Sequence, residues 1–267
     1  MRVLLFLLST LFLSIGFCQM EDHPVEDAAK FKLQTKANPK LPTLFLVGDS
    51  TMKVGSPGQR GWGEEMAKFF DPSQINIVNE AIGGRSSRTF QNEGRWAAVA
   101  SMISKGDWVI LEFGHNDSGP INEAPPVTSS TRARGTIKGN GEETQEVDNI
   151  LTNQHEVVHS FGWYMRKYAT DTKAKGATPN GYGDWAKQAA AATQTTFIDH
   201  NEIIAQAQEK LGQERSDALY ADKKLHANLA GADFNARCAI AGLKSLPGKP
   251  FGRYFSQAAA AVAPFKP

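Results

Sequence analysis

The fold is decided by the stretch Thr43-Leu-Phe-Leu-Val-Gly-Asp-Ser-Thr51, in which a short apolar run ends in small and polar residues. A continuous apolar run of this length indicates a strand that is buried on both faces. Two later runs, Ile75 to Ala81 and Asp107 to Phe113, have the same character and are also followed by polar residues. The three runs predict strands of one central sheet.

Amphipathic helical patterns separate these strands. Residues 62–70 place large apolar side chains on one helical face, and residues 96–103 do the same. Strands that alternate with helices predict a parallel sheet with helices on both sides. We therefore expect an α/β fold, a three-layer sandwich around a central parallel sheet.

The second half of the chain interrupts this alternation. Residues 120–143 are rich in Pro, Gly, Thr and Arg, which predicts a long loop, and a long helix is expected from about Asn153 to Ala174. A strand is due next, but residues 176–183 contain Pro179, Asn180 and three glycines without an apolar run. The sequence therefore predicts a sheet that lacks one strand after Pro179.

Helix and strand patterns resume beyond this gap. They predict a helix near Trp185 to Ala192, a strand at Thr196 to Asp199, a helix from about Glu202 to Leu211, and a last amphipathic helix with Ala232, Cys238, Ile240 and Leu243. Each backbone group left unpaired in a buried gap would cost about 1 to 3 kcal/mol. We therefore expect a closed sheet of four strands, in which Thr196 to Asp199 lies beside the third strand and Phe197 packs in the core.

The N-terminus has the pattern of an export signal. Arg2 precedes an apolar run, Val3 to Leu13, that is too short to span a bilayer, and small residues before Gln19 suit cleavage there. Residues 1–19 are interpreted as a signal peptide, which predicts a periplasmic or secreted protein. Residues 20–42 are expected to be a flexible lead-in, residues 43–250 the folded domain, and residues 251–267 a C-terminal tail.

Composition and charge exclude several classes of protein. The chain has 267 residues, of which 41% are hydrophobic and 21% charged, as in ordinary globular proteins. The formal net charge of +1 falls to about zero without Arg2. The sequence contains no polybasic tract, so we expect no nucleic-acid partner. No later run reaches the length of a membrane span. Cys238 has no partner once the leader is removed, and we expect a monomer without an intramolecular disulfide or a cofactor.

Polar residues follow each of the first three predicted strands. They are Gly48-Asp49-Ser50-Thr51, Gly83-Gly84-Arg85-Ser86 and Gly114-His115-Asn116-Asp117, and His226 lies on the loop before the last helix. Ligands of open parallel sheets bind at the carboxyl ends of the strands, so these residues are expected to lie together. They include a hydroxyl nucleophile, an imidazole base and hydrogen-bond donors, the groups that serine hydrolysis needs.

Each of these groups also has a structural interpretation. Ser50 is a suitable helix cap, and the glycines suit tight turns. His115 and Asn116 are typical hydrogen-bonding loop residues, and a lone histidine such as His226 is more often structural than catalytic. Their combination at one edge of the sheet favours the functional interpretation.

The three polar blocks resemble the first three sequence blocks of the SGNH, or GDSL-type, hydrolases. The likeness is strongest to the rhamnogalacturonan acetylesterases and covers about Leu44 to Leu246, through Gly48-Asp-Ser-Thr51, Asn79-Glu-Ala-Ile-Gly-Gly-Arg-Ser-Ser-Arg88, Gly114-His-Asn-Asp117 and His226-Ala-Asn-Leu-Ala-Gly-Ala232. The resemblance implies Ser50 as nucleophile and His226 as general base. It also implies an oxyanion hole formed by the backbone N–H groups of Ser50 and Gly84 and the side-chain amide of Asn116.

The chain departs from the family pattern at two places. The family has an aspartate three residues before the histidine, where this chain has Lys223, and Asp222 lies four residues before it. Asp222 is our candidate for orienting His226, ahead of Asp217 and Asp199, because it is nearest in sequence; a backbone carbonyl is the alternative. The second departure is the strand that the family has after a Gly-Ala-Thr-Pro motif, which the sequence does not reveal beyond Pro179.

Four arginines flank the predicted site, at positions 85, 88, 132 and 134. One interpretation is that Arg85, Arg88, Arg132 and Arg134 are exposed or ion-paired loop residues. The other is that they bind carboxylates of an acidic sugar polymer, to which guanidinium groups are suited. No metal site is predicted, because His155 and His159 have helical i, i+4 spacing but no third ligand.

The resemblance implies a serine esterase that removes O-acetyl groups from a carbohydrate, with pectic rhamnogalacturonan as the expected polymer. The predicted partner is therefore an acetylated polysaccharide or oligosaccharide. Two alternatives stay open: a catalytically impaired or dead carbohydrate-binding relative, and a GDSL-type lipase or short-chain esterase. The missing strand and Lys223 favour the first of these alternatives.

Overall fold

The computed structural model describes residues 31, 33–181, 184–222 and 225–266. Within them the centre is a parallel sheet of five strands in the order β2-β1-β3-β6-β7, and β4 and β5 form a separate antiparallel pair. The strands are β1 (Thr43–Gly48), β2 (Asn76–Asn79), β3 (Trp108–Glu112), β4 (Thr144–Asp148), β5 (His155–His159), β6 (Thr178–Gly181) and β7 (Thr196–Phe197).

Helices cover both faces of the sheet. The α-helices are α1 (Ser87–Asn92), α2 (Arg95–Met102), α3 (Phe161–Ala174), α4 (Asp184–Ala192), α5 (His200–Leu211), α6 (Gln213–Asp217), α7 (Leu229–Ser245) and α8 (Gln257–Ala260). Short 3₁₀ helices lie at Trp62–Glu64, Met66–Phe69 and Gly252–Tyr254. The predicted helices near residues 185–192 and 202–211 and the last amphipathic helix are confirmed as α4, α5 and α7.

The alternation of side chains along β1 produces the layers. Leu44 and Leu46 face a hydrophobic cluster built with α5, α7 and the 3₁₀ helices at residues 62–69. Phe45 and Val47 face the opposite cluster, to which α1, α2, α3 and α4 contribute. Successive strand residues point to opposite faces, so a run that is apolar throughout is buried on both sides. The predicted three-layer α/β fold is confirmed.

The strand that the sequence did not reveal is present as β6. It pairs in parallel with β3, in a register that sets Trp108 opposite Thr178, and β7 pairs with β6 rather than with β3. The predictions of a missing strand after Pro179 and of a four-stranded sheet are therefore wrong. Backbone hydrogen bonds hold this strand and require no apolar side chains. Pairing with β7 begins at Asn180, one residue after the proline that lacks an N–H.

The long helix expected from Asn153 begins later than predicted. Residues His155–His159 form β5, which pairs with β4, and α3 starts at Phe161, where the Ser160 hydroxyl accepts the Trp163 N–H. A hairpin partner and a capping serine, neither of which helical periodicity reports, set this boundary. Phe197 is partly buried and packs against the cluster that contains Phe45 and Val47.

Segments on either side of residues 43–250 also belong to the folded structure, one at the edge of the sheet and one in the core. Residues 1–30, which include the predicted signal peptide, lie outside the described residues. Of the predicted lead-in, Gln34 donates its backbone N–H to Glu80 Oε1 and accepts the Asn79 N–H, so this part is bonded to the edge strand. Phe251 and Ala259 are fully buried in the cluster around Leu44, so the chain past residue 250 belongs to the folded domain.

No helix in the described part has the length and hydrophobicity to cross a bilayer.

Candidate active site

Ser50 lies in the tight turn that follows β1. Gly48, the last residue of β1, packs so closely on β3 that an added Cβ would lie 2.5 Å from the Glu112 carbonyl oxygen, which requires a glycine there. The turn is closed by the Met52 and Lys53 N–H groups, which donate to the Asp49 carbonyl. The sheet edge therefore fixes the position of the Ser50 side chain.

His226 lies within hydrogen-bond reach of Ser50, although 176 residues separate them in sequence. Ser50 Oγ is 3.1 Å from His226 Nε2, and His226 Nδ1 is 2.5 Å from Asp222 Oδ2. A carboxylate at Nδ1 accepts a hydrogen bond from the ring N–H of a neutral imidazole, which leaves the Nε2 lone pair to accept the serine proton. The three side chains predicted as catalytic are thus brought into one hydrogen-bonded line.

Asp222 is held by the same loop that carries the base. Its Oδ1 atom accepts the backbone N–H groups of Leu225 and His226, at 2.9 and 3.0 Å, while Oδ2 contacts the imidazole. The spacing of four residues therefore suits a carboxylate that both closes the turn and touches His226. Lys223, which occupies the family's aspartate position, lies outside the described residues.

A cleft of about 510 Å³ opens over Ser50 and His226. The glycine block forms one side of it: Gly83 lies beside the nucleophile, so that a Cβ added there would be 3.5 Å from Ser50 Cβ, and Gly84 has a φ of +80°. The loop of residues 54–59 and His115 line other parts of the cleft. Burial, then the neighbouring His226 and Arg134, lower the pKa of His115, which favours a neutral ring beside the base.

The third polar block ties the turns together. Asp117 is buried and accepts the backbone N–H and the hydroxyl of Ser87, so it joins this block to the start of α1. Burial raises the pKa of Asp117 to about 6, although these hydrogen bonds oppose the shift. Asn116 lines the cleft, and its Nδ2 donates to the Arg85 carbonyl at 2.9 Å and lies 3.4 Å from Asp49 Oδ2. Gly84, Asn116 and Ser50, the predicted oxyanion-hole residues, all face one cleft.

The four arginines have different surroundings. Arg134 lines the cleft and donates to the Gly84 carbonyl at 3.0 Å; burial, then Arg132, lowers its pKa. Arg85 pairs with Glu93, and Arg132 donates to carbonyls of its own loop, those of Ser129 and Thr131.

The prediction that Arg88 binds substrate is wrong. Arg88 is fully buried, where its Nε donates to Glu156 and its Nη1 donates to the carbonyls of Ile121 and Gly135. A guanidinium with several donors is suited to fixing irregular backbone, which has no regular partners for its carbonyl groups. Arg88 therefore holds the loop that carries Arg134 rather than contacting a substrate.

A polar network that the sequence does not reveal lies behind the nucleophile. The Thr51 hydroxyl lies 2.9 Å from Asp49 Oδ1 and 2.7 Å from Glu112 Oε1, and Glu112 Oε2 accepts the indole N–H of Trp62 at 2.7 Å. Glu112 lies near the end of an apolar run, and Trp62 has the pattern of a core residue. Nothing in the sequence therefore predicts that the two side chains are in contact. The register of β1 with β3, which pairs Gly48 with Glu112, brings them together.

The histidine pair considered as a metal site lies on a strand. His155 and His159 belong to β5, and His155 Nδ1 contacts Asp148 on β4. Within the described chain, no three His, Cys, Asp or Glu side chains form a group able to hold a metal ion.

The arrangement suits acyl transfer. A hydroxyl bonded to an imidazole, which is bonded in turn to a carboxylate, is the arrangement that activates a serine for attack on an ester carbonyl. The cleft opens directly above the hydroxyl, and an amide side chain lies at its wall. The geometry therefore supports hydrolysis through a serine nucleophile.

Comparison with known proteins agrees with this chemistry. Residues 46–234 match the GDSL-like lipase/acylhydrolase family. A rhamnogalacturonan acetylesterase of Emericella nidulans is 32% identical over 210 residues, which cover 71% of this chain and 80% of that protein. The rhamnogalacturonan acetylesterase RhgT of Bacillus subtilis is 38% identical over 88 residues, 32% of this chain and 38% of that protein.

A solved structure shares the fold. The Bacillus subtilis protein YxiM is 26% identical and superposes with a TM-score of 0.59, covering 77% of this chain and 56% of that one. The family match spans most of the chain and includes Ser50 and His226. The chain therefore belongs to the GDSL-like lipase/acylhydrolase family and is a carboxylic ester hydrolase.

Proposed function

We propose that this enzyme removes O-acetyl groups from a carbohydrate, and that its polymer is a pectic rhamnogalacturonan. The observation that carries the proposal is the hydrogen-bonded line from Asp222 through His226 to Ser50 at the floor of an open cleft. Relatives named rhamnogalacturonan acetylesterase support the substrate class. An exported protein, as the N-terminal sequence predicts, would meet such a polymer outside the cytoplasm.

The first half of the proposed reaction acylates the serine. Ser50 Oγ attacks the acetyl carbonyl carbon while His226 Nε2 takes its proton, and Asp222 stabilises the imidazolium that forms. The negative charge on the carbonyl oxygen is met by N–H donors, for which Ser50, Gly84 and the Asn116 amide are the candidates. The intermediate collapses to an acetyl ester on Ser50, and the sugar oxygen leaves with the proton from His226.

The second half regenerates the enzyme. Water gives a proton to His226 and attacks the acetyl-serine, and the same donors stabilise the second tetrahedral intermediate. Collapse releases acetic acid and returns the proton to Ser50 Oγ. The acyl group would lie in the space beside the serine, which is lined by residues of the cleft wall, including Ile82 and Val54.

Arg134 is the candidate for recognising an acidic sugar. Its side chain lines the cleft and is half-buried, and its one hydrogen bond within the described chain is to the Gly84 carbonyl, a neutral acceptor. A guanidinium beside the nucleophile with donors left over can bind a substrate carboxylate. Galacturonate residues of a pectic polymer carry such a carboxylate, whereas a neutral acetylated xylan does not.

The two alternative functions have less support. A catalytically dead relative is disfavoured because β6 fills the position of the missing strand and Asp222 contacts His226 Nδ1. A lipase would need an extended apolar surface at the cleft, but most residues that line this cleft are glycines or polar residues, and its apolar residues are three, Val54, Ile82 and Leu225.

Acetate release distinguishes these functions. We expect the enzyme to release acetate from acetylated rhamnogalacturonan and to hydrolyse p-nitrophenyl acetate far faster than a long-chain ester. An Arg134→Gln variant should raise KM for the acidic oligosaccharide by about tenfold to a hundredfold, the effect of one charge-assisted hydrogen bond, without changing KM for p-nitrophenyl acetate.

The matched control is Arg132→Gln, which removes the same charge from a side chain bonded to its own loop. Equal effects of both variants would mean that general positive charge, not Arg134, attracts the substrate. Equal rates on acetylated xylan and acetylated rhamnogalacturonan in the wild type would contradict pectic specificity.

A further inference from the structure

One hydroxyl group lies between two carboxyl groups directly behind the nucleophile. Thr51 Oγ1 is 2.9 Å from Asp49 Oδ1 and 2.7 Å from Glu112 Oε1. A hydroxyl group has one hydrogen to donate, so it can donate to one of these oxygens but not to both. The second contact is a hydrogen bond only if that carboxyl group itself carries a proton and donates to Thr51.

We propose that Asp49, Thr51 and Glu112 hold one proton between them, and that an uncharged Asp49 keeps the Asn116 amide available to the reacting carbonyl. Asp49 and Glu112 are in this view positioning residues, because neither touches the substrate. The inference rests on the proposed function for its catalytic consequence but not for the location of the proton.

The surroundings assign the proton to Asp49. Asp49 is 1% exposed, whereas the side chain of Glu112 is 18% exposed and accepts the Trp62 indole N–H. The His200 ring is also close, with Nδ1 3.8 Å from Glu112 Oε2. An ionised carboxylate is stabilised by donors and by access to water. Asp49 Oδ1 accepts the Thr51 backbone N–H at 2.9 Å but Asp49 has almost no access to water, whereas Glu112 has both a donor and access to water.

The charged groups that face Asp49 come from several elements. Glu112 ends β3, Asp117 belongs to the turn after it, and Arg134, on the long loop, interacts electrostatically with Asp49. Burial and then Glu112 raise the pKa of Asp49 to about 7, with Asp117 adding to the rise and the Thr51 hydrogen bonds opposing it. Geometry and electrostatics therefore agree that Asp49 is protonated below neutral pH and loses its proton as the pH rises through about 7.

Loss of this proton would act on the oxyanion donor. Asp49 Oδ2 is 3.4 Å from Asn116 Nδ2, a weak contact with a neutral carboxylic acid. One hydrogen of the Asn116 amide donates to the Arg85 carbonyl, and an ionised Asp49 attracts the second hydrogen and so withdraws it from the cleft. It also adds a negative charge behind an oxygen that becomes negative in the transition state. Turnover should therefore fall as the pH rises through the pKa of Asp49.

Two substitutions should move this alkaline limb in opposite directions. Glu112→Gln removes a negative charge next to Asp49 and supplies an amide N–H to Thr51, whose hydroxyl can then donate to an ionised Asp49. The midpoint of the fall in kcat should shift down by about one pH unit. Thr51→Val removes the hydroxyl but keeps the carboxylate of Glu112, so ionised Asp49 loses a donor and the midpoint should shift up by about half a unit or more.

The controls separate this effect from general damage. Thr51→Ser keeps the hydroxyl and should keep the wild-type midpoint, and Glu214→Gln removes an exposed carboxylate on α6 and should not move it. Shifts in the same direction for Glu112→Gln and Thr51→Val, or no shift in either, would overturn the proposal. A loss of kcat at every pH with an unmoved midpoint would also overturn it, since that is the behaviour of a purely structural contact.

Infrared difference spectra of the wild-type protein test the proton without any substrate. A carboxylic-acid C=O band should disappear as the pH is raised through neutrality, and its midpoint should move down in Glu112→Gln. Absence of such a band would overturn the proposal even if the enzyme were an active acetylesterase. A protein that shows the band but does not release acetate would instead contradict the proposed function alone.

Discussion

The two sides of the cleft are built differently. On the sheet side, the buried residues Asp49, Ser50, Asn116 and Asp117, of which Ser50 is the most exposed at 7%, belong to turns that bond to one another. On the loop side, the side chains of Asp222 and His226 are 33% and 24% exposed, and the loop is anchored at its ends, by pairing of Tyr220 with Ala227 and by the Arg60 N–H on the Ala227 carbonyl.

This difference explains how the site tolerates a departure from its family pattern. The nucleophile and the oxyanion donors sit on turns whose register is fixed by the sheet, where a shift of one residue would reverse the direction of each side chain. The base and its carboxylate sit on a surface loop, which has no such register. An aspartate four residues before the histidine rather than three can therefore still reach the imidazole.

Substituting the nucleophile on the sheet side, or the base that it bonds, should have the largest effect on kcat. Ser50→Ala and His226→Ala should each lower kcat by about 10⁶-fold, since the members of such a unit fail together. The double variant should be no worse than either single variant, which steady-state kinetics on p-nitrophenyl acetate will show.

The control for this pair is Ser118→Ala, which changes a serine on the turn after β3 that bonds the His115 carbonyl. Its activity should stay close to wild type. Thermal unfolding of Ser50→Ala should match the wild type, because the Ser50 hydroxyl bonds the ring of His226, whose side chain is partly exposed. Substantial turnover by Ser50→Ala would refute its role as nucleophile.

On the loop side, Asp222→Asn should lower kcat by about 10² to 10⁴-fold. The amide oxygen can still accept the N–H groups of Leu225 and His226, but the imidazole loses the carboxylate that fixes its tautomer. The comparison is with Asp217→Asn and Asp199→Asn, which change a carboxylate on α6 and the cap of α5. Equal activity of all three variants would assign the orienting group to a backbone carbonyl or to another acid.

Asn116→Ala should have the smallest of these effects, a fall in kcat of about 10² to 10³-fold, the cost of one lost oxyanion donor. The control is Asn201→Ala, in an exposed position on α5. A change confined to KM would make Asn116 a substrate-binding residue and would shift the oxyanion role to the backbone donors alone.

Much of the sheet side could be predicted from sequence. The apolar runs at residues 43–48 and 107–113 are long enough to mark buried strands. The polar blocks follow them directly, so they must lie at the carboxyl ends of these strands. Burial on both faces leaves a clear pattern in the residues themselves. Strand β6 left no such pattern, because its Thr178-Pro-Asn-Gly181 sequence pairs through the backbone alone.

The roles of the arginines and of the network behind Ser50 could not be predicted in the same way. Arg88 and Arg134 have the same charge and both lie near the site in sequence, yet one is fully buried against Glu156 and the other lines the cleft. Thr51 and Glu112 meet only because β1 and β3 pair in a particular register. Such relations depend on three-dimensional neighbours, which a single sequence does not report.

Covalent labelling tests the central claim, that His226 and Asp222 activate Ser50, most directly. A sulfonyl fluoride should modify the wild-type enzyme at Ser50 alone, as identified by mass spectrometry of its peptides, and inactivation should follow the labelling. The labelling rate should fall strongly in His226→Ala and in Asp222→Asn but not in Asp217→Asn. Labelling at another serine, or at Ser50 with an unchanged rate in His226→Ala, would contradict the account.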